Sequence, residues 1–493
     1  MATSQVCQRW RKIALDYPPL WAASFDLSRP LSLLRNAIIP RCGGHDLDTI
    51  MFPSITQVFL QNEHWKHIAR RDNEIPIVNM LSDDHFEVSN FAERLSFVST
   101  ILAQGTKRLI LKIPDDERFP LDAALLCHDL TRLDMLVLMI DPAIWAHRDE
   151  CSLIGLDEAL EAASDPWMMR TLHLQGFGVN LNSRAFAMLE ELVVHDLPIS
   201  VGYTPDRMLD VLKGMPKLKR LDLVDVTLTS EWQDHLFGYP QILTVLKGHV
   251  ELPNLVCLTL SGPIVHVANL FCSMKLPTAC KLKLVCEMMG SILNPEDLIH
   301  EILKEISGRF LAEEVVLTGT FAVEVISGMC CFRFPIEANT MESFHLVFMW
   351  DPRPSHASET GSEPLIDPLT VVNLVSRSLG KSCQNDICKL NLRYEAPLPA
   401  DSELHREVVL AFLEHFPNVN VLHVMTNKTF VFLLPYFEAL FSDWEECQSV
   451  LSLDVLPSLK TIVFLDVDFS APLHTGTSTL GDVLLKYLCH RSY

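Results

Sequence analysis

Residues 218–226 read LKRLDLVDV, and their spacing of apolar side chains recurs along most of the chain. The apolar residues are Leu218, Leu221, Leu223 and Val226. The central pair has the two-residue spacing of a β-strand with both side chains on one face. Comparable sets begin at Met169, Leu189, Leu255, Val419 and Leu459. A recurring unit of this kind predicts a solenoid-type repeat array, an architecture typical of binding proteins.

The middle apolar residue of each set marks one repeat and is called its anchor below. Anchors stand about 32 residues apart on average, whereas leucine-rich repeats have a similar core and a period of 20–29 residues. The position that holds asparagine or cysteine in those repeats conforms only at Asn427, so we expect an irregular solenoid without a continuous asparagine ladder. The anchors are Leu109, Leu136, Leu172, Leu192, Leu221, Leu258, Leu282, Val315, Phe344, Leu390, Leu422 and Ile462, with weaker copies at Phe25, Ala37 and Val58.

Several segments between the anchors have the apolar periodicity of amphipathic helices. Residues 295–307 and 403–416 are the clearest cases, and Pro295 suits the first turn of a helix. Further predicted helices cover residues 91–104, 205–214, 367–380 and 478–489. Alternation of strand and helix implies parallel strands joined by right-handed crossovers. The predicted fold class is therefore α/β, an irregular leucine-rich-repeat solenoid with a parallel β-sheet and outer helices.

The charge balance of the chain argues against one class of partner. The 493 residues include 40 basic and 62 acidic side chains, which gives a formal net charge of -22. Nucleic-acid binding needs a basic surface that displaces counterions from phosphate, so we expect no nucleic-acid partner. An acidic chain favours solubility and, weakly, basic partners.

The cysteines and the apolar segments bear on localisation. The 14 cysteines are scattered, and the opening residues MATSQVCQRWRK contain no apolar core of a signal peptide. We therefore interpret the cysteines as reduced thiols and expect a cytoplasmic or nuclear protein. The longest apolar stretch, residues 430–441, is too short to cross a bilayer, so no membrane partner is expected.

The amino-terminal segment, residues 5–28, forms a distinct unit. Val6, Trp10 and Ile13 share one face of a predicted helix, which ends at the Pro18-Pro19 pair because proline disfavours helical geometry before it. We expect Trp10 and Trp21 to pack this helix against the first repeat.

This segment resembles the second half of an F-box, in which a V-C-x-x-W-R helix precedes a P-x-L-W turn. The matching residues, which the resemblance implies as adaptor-binding, are Val6, Cys7, Trp10, Arg11, Leu20 and Trp21. The leucine-proline helix that opens a complete F-box is not in this sequence, so a partial F-box-like segment is expected at residues 1–28. A repeat array follows at residues 29–493, interrupted by an expected disordered loop at residues 351–364. The whole chain is similar to the large F-box families of fungi.

The resemblance implies a non-enzymatic substrate-recognition adaptor of a Skp-cullin-F-box ubiquitin ligase. Its partners would be a Skp-family adaptor, the cullin complex and a protein substrate whose identity stays open. The alternative is a leucine-rich-repeat interaction scaffold that is not coupled to ubiquitination, and the incomplete F-box favours this alternative.

No catalytic, metal or cofactor constellation is visible in the sequence. It contains no phosphate-binding glycine loop, no nucleophile elbow and no H-E-x-x-H motif. Cys42 and His45 have the spacing of two metal ligands but lack a matching second pair, and the adjacent Cys330 and Cys331 are expected to be buried.

Alternate residues of each strand are expected to face the concave surface of the array. Several are basic, which in an acidic chain predicts a recognition strip for an acidic or phosphorylated segment. The alternative is a solvated sheet face with no ligand. The candidate partner-binding residues are His173, Arg220, Asp222, Lys281, Lys283, Lys389, Asn391 and Arg393.

Overall fold

A computed structural model gives the fold. It describes residues 8–10, 12–13, 15–18, 41, 47–50, 106–113, 133–140, 169–176, 181, 184–197, 203, 205–226, 250–288, 295–310, 320–326, 328–334, 344–349, 368–383, 387–396, 402–437, 455–472 and 479–491. The expected disordered loop, the predicted helix at 91–104 and the anchor Val315 lie outside these residues.

The chain divides into two compact units. Unit 1 comprises Met1–Ser230 with Val250–Leu255, and unit 2 comprises Glu231–His249 with Val256–Tyr493. The boundary falls inside residues 29–493, which the sequence analysis treats as one array. The division into residues 1–28 and 29–493 stays a prediction.

Unit 1 is built around a parallel sheet. Its described elements are β1 (Leu47–Ile50), β2 (Thr106–Ile113), β3 (Met135–Ile140), β4 (Thr171–Gln175), a 3-10 helix (Arg184–Met188), β5 (Glu191–Leu197), α1 (Pro205–Lys213), β6 (Arg220–Val226) and β7 (Val250–Glu251). Strands β1 to β6 lie side by side in chain order and every neighbouring pair is parallel. Helix α1 buries Met208, Leu209 and Leu212.

The predicted anchors of unit 1 lie in register across this sheet. Leu109, Leu136, Leu172, Leu192 and Leu221 stand opposite one another in successive strands. All five are buried. The expectation that the repeated core places its leucines side by side in parallel strands is confirmed for this unit.

Unit 2 combines a larger sheet with most of the described helices. Its elements are β8 (Cys257–Pro263), α2 (Ile264–Ser273), β9 (Met274–Lys275), β10 (Lys281–Glu287), α3 (Pro295–Phe310), β11 (Thr320–Ile326), β12 (Met329–Phe334), β13 (Phe344–Met349), α4 (Pro368–Cys383), β14 (Lys389–Tyr394), α5 (Ser402–Glu414), β15 (Val421–Val424), α6 (Asn427–Phe432), β16 (Thr461–Phe464) and α7 (Leu480–Arg491).

The unit 2 sheet has the strand order β8-β10-β13-β12-β11-β14-β15-β16. All neighbours are parallel except β12, which runs antiparallel to both β11 and β13. The β11–β12 hairpin departs from the predicted alternation of strand and helix. Only two residues separate Ile326 from Met329, and Gly328 takes a left-handed φ of 79°. A connection this short can join only antiparallel strands.

Anchors are again in register in unit 2. Leu258, Leu282 and Phe344 stand opposite one another, as do Leu390, Leu422 and Ile462. Phe321 occupies the position opposite Leu390.

Helices pack against the sheet and against one another in unit 2. Helix α2 contacts β8 and β10, and α2, α3, α4 and α5 form successive helix–helix contacts. The helices predicted around residues 205–214, 295–307, 367–380, 403–416 and 478–489 are all present. Apolar periodicity does not predict α2, because all ten of its residues are buried and the helix has no polar side facing solvent. Both units are thus mixed α/β structures with mostly parallel sheets.

Candidate functional site

One face of the unit 2 sheet is the candidate site. On β10, Leu282, Leu284 and Cys286 are buried, whereas Lys281 is half-buried and Lys283 is exposed. Strand β14 repeats this alternation, and β8 and β11 do so as well. We call the side opposite the buried anchors the polar face. Its central residues are Thr259, Lys281, Lys283, Ala322, Glu324, Cys331, Arg333, His345, Lys389, Asn391, Arg393 and His423.

Five of the eight candidate partner-binding residues lie on this face. Lys281, Lys283, Lys389, Asn391 and Arg393 all lie on it and are exposed or half-buried. Their side chains therefore have the orientation that partner contact requires. Binding by these residues stays a prediction.

A single row of side chains connects the two groups of basic residues. Across the sheet, Lys283 stands opposite His345, which stands opposite Arg333. The row continues through Ala322 to Asn391. Four strand spacings separate β10 from β14, which corresponds to roughly 19 Å. A short extended peptide can span this distance.

The charges along the face are not equally available. Arg393 donates from Nε and Nη2 to Oε1 of Glu395, at 2.8 and 2.7 Å, and this hydrogen bond holds the pKa of Arg393 above its usual value. The guanidinium of Arg393 is thus already engaged by a carboxylate within the same chain. Among the described residues, no carboxylate lies within ion-pair distance of Lys281, Lys283 or Lys389. The lysines are therefore the available positive charges.

A thiol, an imidazole and a guanidinium meet at the middle of the polar face. Cys331 Sγ lies 3.1 Å from His345 Nε2 and accepts a hydrogen bond of 3.1 Å from Arg333 Nε. Arg333 Nη2 also lies 3.4 Å from Glu324 Oε2. Burial, together with the positive charges of Arg333 and Lys283, lowers the pKa of His345 to about 4, so its imidazole is neutral at neutral pH. No sequence pattern predicts this cluster as a unit, although the expectation that Cys330 and Cys331 are buried is confirmed.

The candidate residues of unit 1 are placed differently. His173 and Asp222 are completely or almost completely buried, and Arg220 is only slightly exposed. The expectation that they line an accessible surface is wrong for this unit. The second face of its sheet is also buried, since Val137 and Val193 are as inaccessible as the anchors. The nearly continuous apolar run MLVLMI of β3 is the sequence signal of a strand buried on both faces.

These unit 1 residues form an ion-pair cluster that joins three strands. His173 Nε2 lies 3.4 Å from Glu191 Oε1, and Arg220 Nη1 lies 3.3 Å from the same oxygen. Arg220 Nη2 lies 3.6 Å from Asp222 Oδ2, whose second oxygen lies 3.5 Å from His195 Nε2. Burial lowers the pKa of His173 despite the nearby carboxylate. His173 is therefore a neutral neighbour of Glu191, and the ion pairs of the cluster are those of Arg220 with Glu191 and Asp222. Buried charges need partners of this kind.

The amino-terminal segment exposes apolar side chains. Of the predicted adaptor-binding residues, only Trp10 lies among the described residues, and it is 66 % exposed. Ile13 and Tyr17, three and seven positions further, are also exposed. The expectation that Trp10 packs against the first repeat is therefore wrong. Val6, Cys7, Arg11, Leu20 and Trp21 lie outside the described residues.

The described part of the chain contains neither a metal-binding cluster nor a membrane-spanning helix. No group of three or more His, Cys, Asp or Glu side chains within it is arranged to hold a metal ion. Its helices are all too short or too polar to cross a membrane. Cys42 and His45 lie outside this part of the chain.

Comparison with known proteins does not identify the chain. No family model matches the sequence, and no curated protein matches it.

Proposed function

We propose that this chain is a non-enzymatic protein-binding subunit that recognises an acidic or phosphorylated segment of a protein on the polar face of unit 2. The lysines Lys281, Lys283 and Lys389 carry this proposal, because they present available positive charge on an accessible sheet face of an acidic chain. Charge complementarity of this kind orients a partner and excludes partners of the wrong sign.

The proposal includes an architecture and a cellular role. The aligned anchors in both units support an irregular leucine-rich-repeat solenoid. The amino-terminal segment supports the role of substrate-recognition adaptor in a cullin-RING ubiquitin ligase, since Trp10, Ile13 and Tyr17 form an exposed apolar surface. Such a ligase subunit would work in the cytoplasm or the nucleus. The second candidate is a leucine-rich-repeat interaction scaffold that is not coupled to ubiquitination.

Reversal of charge on the polar face is expected to weaken partner binding by about tenfold or more, because each substitution replaces attraction of an anion by repulsion. The variant is Lys281→Glu with Lys283→Glu. The ligand is a fluorescein-labelled peptide with one phosphoserine flanked by glutamates, and fluorescence anisotropy measures its affinity. Lys217→Glu with Lys460→Glu changes the net charge equally at exposed positions that are not part of this face and serves as the control. Equal affinity in both folded variants would place recognition elsewhere.

A separate experiment tests the link to a ligase. We expect the chain as given to bind a purified Skp-family adaptor weakly or not at all, because the leucine-proline helix supplies much of the docking surface. Addition of such a helix before Met1 should strengthen binding by about tenfold or more. Trp10→Ala in the extended chain should remove most of that gain, while the exposed Leu485→Ala should not. Failure of the extended chain to bind would favour the scaffold, and tight binding by the chain as given would show that residues 1–28 bind the adaptor without an added helix.

A further inference from the structure

The environment of the Cys331 thiol differs from that of other buried thiols in unit 2. Cys280 and Cys286 are buried, and desolvation raises the pKa of both thiols, that of Cys280 to about 12. Cys331 instead has an arginine and a histidine nitrogen at 3.1 Å from its sulfur. Donors and positive charge near a thiol favour its thiolate, which is the nucleophilic form.

The sheet register explains this arrangement. His345 of β13 stands directly opposite Arg333 of β12, and Cys331 lies two residues before Arg333 on the same face. Both nitrogen atoms therefore reach the sulfur from adjacent side chains of a rigid ladder. The contacts do not depend on a flexible loop.

The charged groups around the sulfur come from four strands. Strand β12 contributes Arg333, and β13 contributes the neutral His345. Strand β10 adds Lys283, which stands opposite His345. The opposing charge is Glu324 of β11, whose carboxylate lies 3.4 Å from Arg333 Nη2 while Arg333 Nε is directed to the sulfur. Glu324 thus orients the guanidinium.

We propose that Cys331 is an oxidation site that reacts with small hydroperoxides. The sulfur attacks the terminal peroxide oxygen, an S–O bond forms and the O–O bond breaks. Sulfur loses two electrons, the peroxide gains them, and the thiol proton passes to the departing oxygen. The products are a sulfenic acid and water or an alcohol. Arg333 stabilises the negative charge that develops on the departing oxygen.

Burial restricts the oxidant. Cys331 is only 1 % exposed, whereas Arg333 and His345 beside it are half-buried. With so little of Cys331 accessible, the proposal is limited to oxidants close to water in size, of which hydrogen peroxide is the simplest. This inference rests on the cluster alone and does not require the proposed recognition of an acidic segment.

Site-resolved mass spectrometry tests the inference on the full chain. The protein is exposed to hydrogen peroxide at pH 7.5, quenched, unfolded in the presence of dimedone to trap sulfenic acid, and digested. We expect Cys331 to be labelled about tenfold faster than Cys286, which is equally buried but lacks these basic neighbours. Equal or slower labelling of Cys331 would overturn the inference, and this comparison needs no variant.

Variants test the assigned roles. Arg333→Gln should slow labelling of Cys331 about fivefold or more and leave the exposed Cys388 unchanged. Lys217→Gln, at an exposed position that is not part of the polar face, is the matched control for loss of one positive charge. If Cys331 is labelled at the same rate in folded Arg333→Gln and in the unmodified chain, Arg333 does not contribute to the reactivity of the thiol. Circular dichroism establishes that the variants are folded.

Discussion

Replacement of Phe321 by alanine is expected to lower the free energy of unfolding of unit 2 by about 3–5 kcal/mol. Phe321 is completely buried on β11, between β12 and β14. Its ring centroid lies 6.3 Å from that of Phe332 and 5.5 Å from that of Phe416. Replacement by alanine removes these aromatic contacts and leaves a cavity. Because β11 is paired with a strand on each side, the backbone cannot shift to fill that cavity. Urea unfolding followed by circular dichroism measures the change.

Leu485→Ala provides the control for this substitution. Leu485 is a large apolar residue in α7 of the same unit, but it is 61 % exposed. Its replacement is expected to change the free energy of unfolding by less than about 0.5 kcal/mol. Similar effects of the two substitutions would contradict the central position of β11 in the unit 2 core.

The sequence predicts the strands better than it predicts their connections. Leu172, Leu192 and Leu221 fall in register because each is the middle residue of the same spaced set. The hairpin at Gly328 follows a turn geometry that apolar spacing does not encode. The predicted anchor Val315 lies outside the described residues. The residue that stands opposite Leu390 is Phe321, which is not part of any predicted repeat core.

The candidate site shows the same division. Alternation within β10 and β14 is sufficient to place Lys283 and Lys389 on the accessible face. The same alternation wrongly predicts that His173 is accessible. Accessibility depends on whether other residues cover the second face of the sheet, and the alternation within a strand does not contain that information. The contact between Cys331 and His345 requires the antiparallel register of β12 and β13. No spacing within either strand specifies that register.

Helix α2 contains a titratable group that links stability to acidity. His266 lies in this fully buried helix, and burial lowers its pKa from 6.5 to about 4. Below pH 6.5 the unfolded chain binds a proton at this position that the native chain does not bind. The free energy of unfolding therefore falls as the pH decreases from about 6.5 to about 4, and the contribution of His266 is fully present above that range. His345 has the same lowered pKa and adds to the loss.

His266→Gln is expected to reduce the loss of stability between pH 7.5 and pH 4.5 by about 2–3 kcal/mol, because glutamine does not titrate. The free energy of unfolding at the two pH values, measured with urea, gives this difference directly, so any constant effect of the substitution cancels. The exposed His300→Gln on α3 is the matched control and should leave the loss unchanged. If His266→Gln and His300→Gln lose equal stability on acidification, His266 is not the buried neutral imidazole that its position in α2 requires.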